Sequence, residues 1–215
     1  MGKTVRNLIG ILLIAAAIAV TQIPVSDVEA VTTSSASDFQ MDGTTLLKYN
    51  GTAEDVSVPS SVEKIESEAF AYNDSIRHVT IGSSVREIGS SAFAGCKYLQ
   101  KVTIPDSVTT IDHAAFSRCP SLTEVTIGKG LKELGNGAFA GDYSLTKVSF
   151  SSSNPKFICD DGAIYNRDGR DTLYQLLAGR KGDSYVVPST VEEIRPYAFW
   201  GDYNLEYVKI GSKVK

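Results

Sequence analysis

The sequence predicts a repeat solenoid, a leucine-rich-repeat-like stack of rungs about 23 residues long, and three observations carry that reading. The pair Ala-Phe recurs at Ala69-Phe70, Ala92-Phe93, Ala115-Phe116, Ala138-Phe139 and Ala198-Phe199, the first four spaced by 23 residues. Around it an apolar frame returns, so that Val85, Ile88, Leu99, Val102 and Ile104 of one copy become Val108, Ile111, Leu122, Val125 and Ile127 of the next. The outer copies fill the same slots, with Val62, Ile65, Ile76, Val79 and Ile81 before them and Leu131, Leu134, Leu145, Val148 and Phe150 after. A unit of this size cannot close a core alone, so stacked neighbours must bury each other's apolar edges. The five phenylalanines are expected to share one interior spine.

Taken in order, the chain opens with Lys3 and Arg6 ahead of an apolar stretch from Leu8 to Val20, then a polar segment ending in Ala30. This pattern reads as an export signal over residues 1–30, cleaved after Ala30. The stretch is short against the ~20 residues of a membrane span, which leaves an uncleaved N-terminal anchor as the alternative and implies no membrane insertion after cleavage. Residues 31–38, rich in Thr, Ser and Ala, are expected to form a flexible leader. Residues 39–61 read as an N-terminal β-hairpin cap, with turns at Asp42-Gly43 and Asn50-Gly51. Rungs then begin near residues 62, 85, 108, 131 and 191 of a solenoid covering 62–215, joined by short turns or helical turns. An insertion over about 151–190 interrupts them. It repeats the hairpin module: Pro188 to Val191 matches Pro59 to Val62, and Leu177 to Gly179 matches Tyr49 to Gly51.

Within a rung, Leu99, Val102 and Ile104 point inward from a parallel strand, and the residues between them face water. They stack into ladders: His78, Lys101, Glu124, Lys147 and Tyr207 in one, Thr103 and Thr126 in the next, Arg77 and Gln100 beside them. These nine residues are the candidate ligand-binding face, although stacked Thr also suits a parallel sheet on structural grounds alone. Glu63-Lys64, Arg86-Glu87 and Lys132-Glu133 read as a solvated mixed-charge face. Tyr98, Tyr143, Trp200 and Tyr203 follow the Ala-Phe turns, either packing there or anchoring an interface.

Asn73, Cys96, Cys119, Asp142 and Asp202 share one column at the corner before the strand. Small polar or sulfur side chains at a bend satisfy backbone groups that it leaves unpaired, so the column reads as a structural ladder with free thiols. Cys159 lies in the insertion without a mate. The histidines, His78 and His113, occupy non-equivalent positions, and no triad or zinc set follows. Asp160, Asp161, Asn166, Asp168 and Asp171 miss the spacing of a calcium loop. The reading is therefore of a protein that is not an enzyme, with no cofactor and no metal. With a net charge of −4 and scattered Lys and Arg, the chain has no basic field for nucleic acid.

The frame Val-x-x-Ile-x-x-x-Ala-Phe-x-x-Cys-x-x-Leu-x-x-Val-x-Ile, with Ile104-Pro105 opening the next rung and the insertion segment Asp161 to Asn166, resembles the BspA-like leucine-rich repeat family of bacterial surface proteins. That resemblance implies a secreted or cell-surface binding and adhesion module, recognising a host or neighbouring-cell protein or glycan. The alternative is a structural spacer within a larger surface protein. A sixth rung would begin at Val214, so the last sheet edge is expected to be open to end-to-end association.

Overall fold

A computed structural model describes residues 33–215, and the expected export signal lies outside the described residues. The described chain forms a β-solenoid of about 7 turns with ~23-residue rungs. Among the described residues helix is limited to one short 3₁₀ turn, Ala36–Asp38. The corners that could have been helical turns are instead irregular turns with their own rung-to-rung hydrogen bonds.

Two parallel sheets run along the stack. One is made by Asp55–Ser57, His78–Thr80, Lys101–Ile104, Glu124–Ile127 and Lys147–Phe150, paired in chain order with Lys101 opposite Glu124 and Val102 opposite Val125. The other is made of two-residue strands, Lys64–Ile65, Glu87–Ile88, Thr110–Ile111 and Glu133–Leu134. The expected mixed-charge face is thus the outer side of a second sheet. Alternation explains it: Ile65, Ile88, Ile111 and Leu134 are buried while Lys64, Glu87, Thr110 and Glu133 point out.

At the third corner the Ala-Phe pair ties rungs together through its own backbone. The amides of Phe70, Phe93 and Phe116 donate to the carbonyls of Ala92, Ala115 and Ala138 at 2.7, 2.7 and 2.8 Å. Behind them the rings of Phe70, Phe93, Phe116 and Phe139 stack with centroids 4.6, 5.0 and 5.8 Å apart and planes within 15°. Tyr49 and Phe39 extend the column at 5.2 and 5.0 Å. Phe199 does not join it. That ring is only half-buried and lies against Tyr185, 6.4 Å away, because the insertion has come between rungs.

The first rung is started by an antiparallel hairpin, Phe39–Asp42 with Thr45–Tyr49, whose second strand pairs in parallel with Lys64–Ile65. Asn50 and Gly51 lead away from that hairpin to Asp55–Ser57, which joins the other sheet. Residues 33–38 are tied here by hydrogen bonds, although none of them is buried. Thr33 bridges to Asp55, and a capping box joins Ser35 to Asp38.

The insertion is an antiparallel meander of Phe157–Asp160, Ala163–Asn166 and Thr172–Leu176, the last pairing in parallel with Glu193–Ile194. Leu176 donates to Ala198 O as Tyr49 donates to Ala69 O, at 2.7 and 2.8 Å. The residue equivalent to Tyr49 is therefore Leu176, one place earlier than the sequence alignment put it. Apolar packing divides accordingly into a long cluster from Leu46 through Leu177 and a second one around Leu173, Tyr185 and Val191.

Candidate binding site

The solenoid exposes two surfaces with binding character, and their chemistry differs. On the long strand sheet, His78, Lys101, Glu124 and Lys147 do form a ladder, but its charged groups already have partners, the two lysines sharing the carboxylate of Glu124. Asp55 lies 2.8 Å from the His78 ring, and Glu124 lies 3.3 Å from Lys101 and 2.5 Å from Lys147. Those lysines hold the Glu124 carboxyl below the usual carboxylate range, chiefly through hydrogen bonding. Thr103 and Thr126 are exposed beside them, Gln100 accepts from the Thr123 amide and hydroxyl, and Arg77 pairs with Glu54 at 3.1 Å. Tyr207 is not part of this ladder. Its strand, Tyr207–Lys209, pairs only with Ser184–Val186 in a separate sheet beyond the insertion.

The second surface lies over the Ala-Phe turns. Every such turn holds residues in the left-handed region, among them Ser91, Gly95, Ala114, Arg118, Gly137 and Gly141. Two of their columns are small in the middle rungs: Ser91, Ala114 and Gly137 in one, Ala94, Ser117 and Ala140 in the other. In the last rung the same columns carry Tyr197 and Trp200. The result is a groove of about 240 Å³ with a small-residue floor, walled by Tyr72 at one end and by Tyr197 and Trp200 at the other, with His113 and Arg118 between.

Glycine makes the walls possible. A Cβ on Gly95 would stand 2.5 Å from the Tyr72 ring, and one on Gly141 would stand 2.4 Å from the Trp200 ring. The aromatics therefore lie flat on bare backbone one rung away. Although the insertion intervenes on the strand side, the turns of the fourth and last rungs abut directly, with the Gly141 amide donating to Trp200 O at 3.2 Å. Arg118 stacks over Trp200 at 5.2 Å, and the His113 and Tyr197 rings are 5.5 Å apart. Among the described residues no carboxylate lies within ion-pairing distance of Arg118 or lines the groove.

The remaining singled-out residues fall into place around these surfaces. Tyr143 and Tyr203 face each other at 6.0 Å, and Tyr98 packs beneath Arg77 and Lys97, so only Trp200 of the four expected aromatics lines the groove. Tyr72 and Tyr197 were missed. The available signal was a large ring standing in a column that neighbouring rungs fill with glycine. His113 and Cys119 point to opposite sides of the chain: the histidine is exposed at the groove, while the Cys119 thiol is wholly buried and donates to Phe93 O at 3.1 Å.

The corner column satisfies backbone throughout. Cys96 donates to Phe70 O at 3.2 Å and Asn73 Nδ2 to Gly51 O at 2.9 Å, while Asp202 accepts from Asn204 N at 3.1 Å. Asp202 also meets Arg180 of the insertion at 3.4 Å, an ion pair almost wholly buried on both sides. Another buried corner was not anticipated: Asn154 donates to Leu131 O and accepts from the amides of Lys156 and Phe157, fixing the start of the insertion. The insertion's acidic residues are spent on local structure, with Arg170 on Asp160 and Asn166 on Asp171. Among the described residues no group of three or more His, Cys, Asp or Glu is placed to hold a metal ion. None of their helices is long and apolar enough to cross a membrane.

A family profile described as a BspA-type leucine-rich repeat region matches residues 44–167 in 6 copies. Among solved structures, a leucine-rich repeat protein of T. pallidum is 26% identical, with a TM-score of 0.58 over 85% of this chain and 84% of that one. A leucine-rich repeat protein of Eubacterium ventriosum is 21% identical with a TM-score of 0.61, covering 79% of this chain. The pneumococcal vaccine antigen PcpA is 20% identical with a TM-score of 0.58, covering 75% of it. The match spans 54% and 52% of the latter two proteins, about half of each. No curated protein matches the chain.

Proposed function

This chain belongs to the BspA-type leucine-rich repeat family, and from that premise we propose that it is an exported binding and adhesion module that engages a protein or glycan of a host or neighbouring cell through its Ala-Phe turn face. One observation carries the reading: the groove between Tyr72 and Trp200, where exposed aromatic walls, an unpaired Arg118 and a small-residue floor converge on one opening. Tyr, Trp and Arg are the side chains that dominate binding hot spots, the rings because they bring large rigid contact area and Arg because its planar guanidinium makes several directed hydrogen bonds. The strand face is the weaker candidate, since a ligand there would have to displace ion pairs that the ladder already makes. The N-terminal basic and apolar pattern of residues 1–30 supports export, and the vaccine antigen among its structural neighbours is in keeping with a surface role.

The test is retention of cells displaying the chain on immobilised extracellular-matrix proteins and glycans. Replacing Tyr72 and Arg118 together with Ala abolishes retention, whereas replacing Lys101, Glu124 and Lys147 together with Ala leaves it intact. The opposite pattern moves the site to the strand face. Retention on no surface at all favours a spacer role instead.

A further inference from the structure

We propose that the turn-face groove takes a carboxylate-bearing sugar, a uronic or sialic acid unit of an acidic glycan, with the sugar ring against Trp200 and the carboxylate on Arg118. The inference rests on the groove being the binding surface and adds the chemistry of its occupant.

Four features select that class. The lining charge has one sign, because Arg118 and the His113 ring are the groove's only ionisable groups besides tyrosine, and no acidic residue lines it. An exposed guanidinium with no carboxylate partner presents a planar fork whose geometry matches a carboxylate in a bidentate contact. Tyr72, Tyr197 and Trp200 are 70%, 53% and 39% exposed, so each offers open ring surface, with Arg118 already beside the Trp200 ring where a carboxylate and a sugar would meet. Their electron-rich faces attract the C–H edge of a saturated ring. The floor offers hydroxyls at Ser91 and Ser117, suited to a polyol and of little use to an aliphatic side chain.

Size argues in the same direction. A volume of about 240 Å³ is smaller than the ~300–1,000 Å³ typical of enclosed small-molecule sites, and the groove is open. It suits one or two units of a longer chain whose ends run out along the rungs. A long acidic polymer would meet no repelling carboxylate inside the groove, where Arg118 supplies a local positive charge against the protein's overall charge of −4.

Trp200 is the only tryptophan in the sequence, so its fluorescence reports on this groove alone. The purified chain is titrated with trigalacturonate, with sialyllactose and with neutral lactose, by fluorescence and by calorimetry. One or both acidic sugars are expected to shift Trp200 emission and to bind at least tenfold tighter than lactose, and which of the two does so separates a uronate from a sialate ligand. Arg118→Gln should erase the preference for acid, and Trp200→Phe should weaken binding measured by calorimetry. Lactose binding as tightly as the acids, with Trp200 responding, overturns the acidic assignment but leaves the groove as the binding surface. Acidic sugars that bind without moving Trp200 and survive Arg118→Gln place the ligand elsewhere, which overturns both readings. No sugar binding, with a matrix protein lost on Tyr72→Ala, overturns the glycan and keeps the groove.

Discussion

The backbone amide of Cys119 donates to Oδ1 of Asp142, 23 residues further on and 2.7 Å away, deep in the corner column of the stack. The second oxygen of that carboxyl is buried with no hydrogen-bond partner. Burial pushes the Asp142 carboxyl well above the usual range, and the Cys119 contact only partly offsets it. Below about pH 4 the unfolded chain also holds this proton, so the group adds no penalty to folding. As pH rises, the unfolded chain releases its proton while the folded chain retains it, and stability falls toward neutrality. Asp142→Asn, the residue type that Asn73 already supplies in the first rung, removes this loss. Urea titrations at pH 7 should show the variant more stable by about 1–3 kcal/mol, with the gain shrinking at pH 4.

The phenylalanine spine makes a different prediction for equal side chains. Phe93 is wholly buried between two parallel rings, so Phe93→Ala leaves a cavity that neighbouring rungs cannot close. A loss of about 3–5 kcal/mol is expected. Phe199 is half-buried outside the spine, and Phe199→Ala should cost clearly less. Equal losses in chemical denaturation would mean that the two sites are packed alike.

That contrast shows where the sequence was legible. The period, the inward apolar columns and the free thiols were readable because a repeat states each environment several times, and Val102, Val125 and Val148 say the same thing in turn. The second sheet was hidden because its strands are two residues long, too short for alternation to show. Phe199 looked like its four namesakes because a periodic pattern cannot reveal that Leu176 has entered the stack beside it. The groove was illegible for a related reason. Tyr72, Tyr197 and Trp200 are exceptions to their columns, and only the direct contact of the fourth and last turns makes those exceptions face one another.

The thiols should respond to reagents according to burial. Hydrogen bonding with Cys96 and burial raise the Cys119 thiol well above its ordinary value, and burial raises Cys159 to about 11. Since the thiolate is the reactive form, Cys119 and Cys159 should not react quickly with a disulfide reagent at pH 7.5 in the native chain, and Cys96 should not because its burial denies the reagent access. Cys159, partly exposed, should be the first to react as pH is raised. All of them should react at once in denaturant, and a rapid native reaction at Cys96 or Cys119 would contradict the corner geometry.

Arg180 and Asp202 supply the last prediction, because they join the insertion to the final rung. Their side chains are 11% and 0% exposed and 3.4 Å apart, and the contact lacks the alignment of a hydrogen bond. Arg180 is also held by the carbonyls of Lys181 and Ser184 and lies over the Tyr185 ring at 5.4 Å. Removing one member of a buried pair strands the other charge, which commonly costs about 3–5 kcal/mol. Arg180→Met keeps most of the packing volume but leaves Asp202 without its cation, so it should loosen the final rung selectively. Hydrogen exchange is the measurement: amides of Leu205 and Tyr207 should lose protection in Arg180→Met while those of Phe93 and Phe116 keep theirs. In the double variant Arg180→Met with Asp202→Asn, protection should return in part, since an amide in that column can accept from the Asn204 backbone without carrying a charge. Uniform loss along the whole stack would instead mean that the final rung and the Phe spine unfold as one cooperative unit.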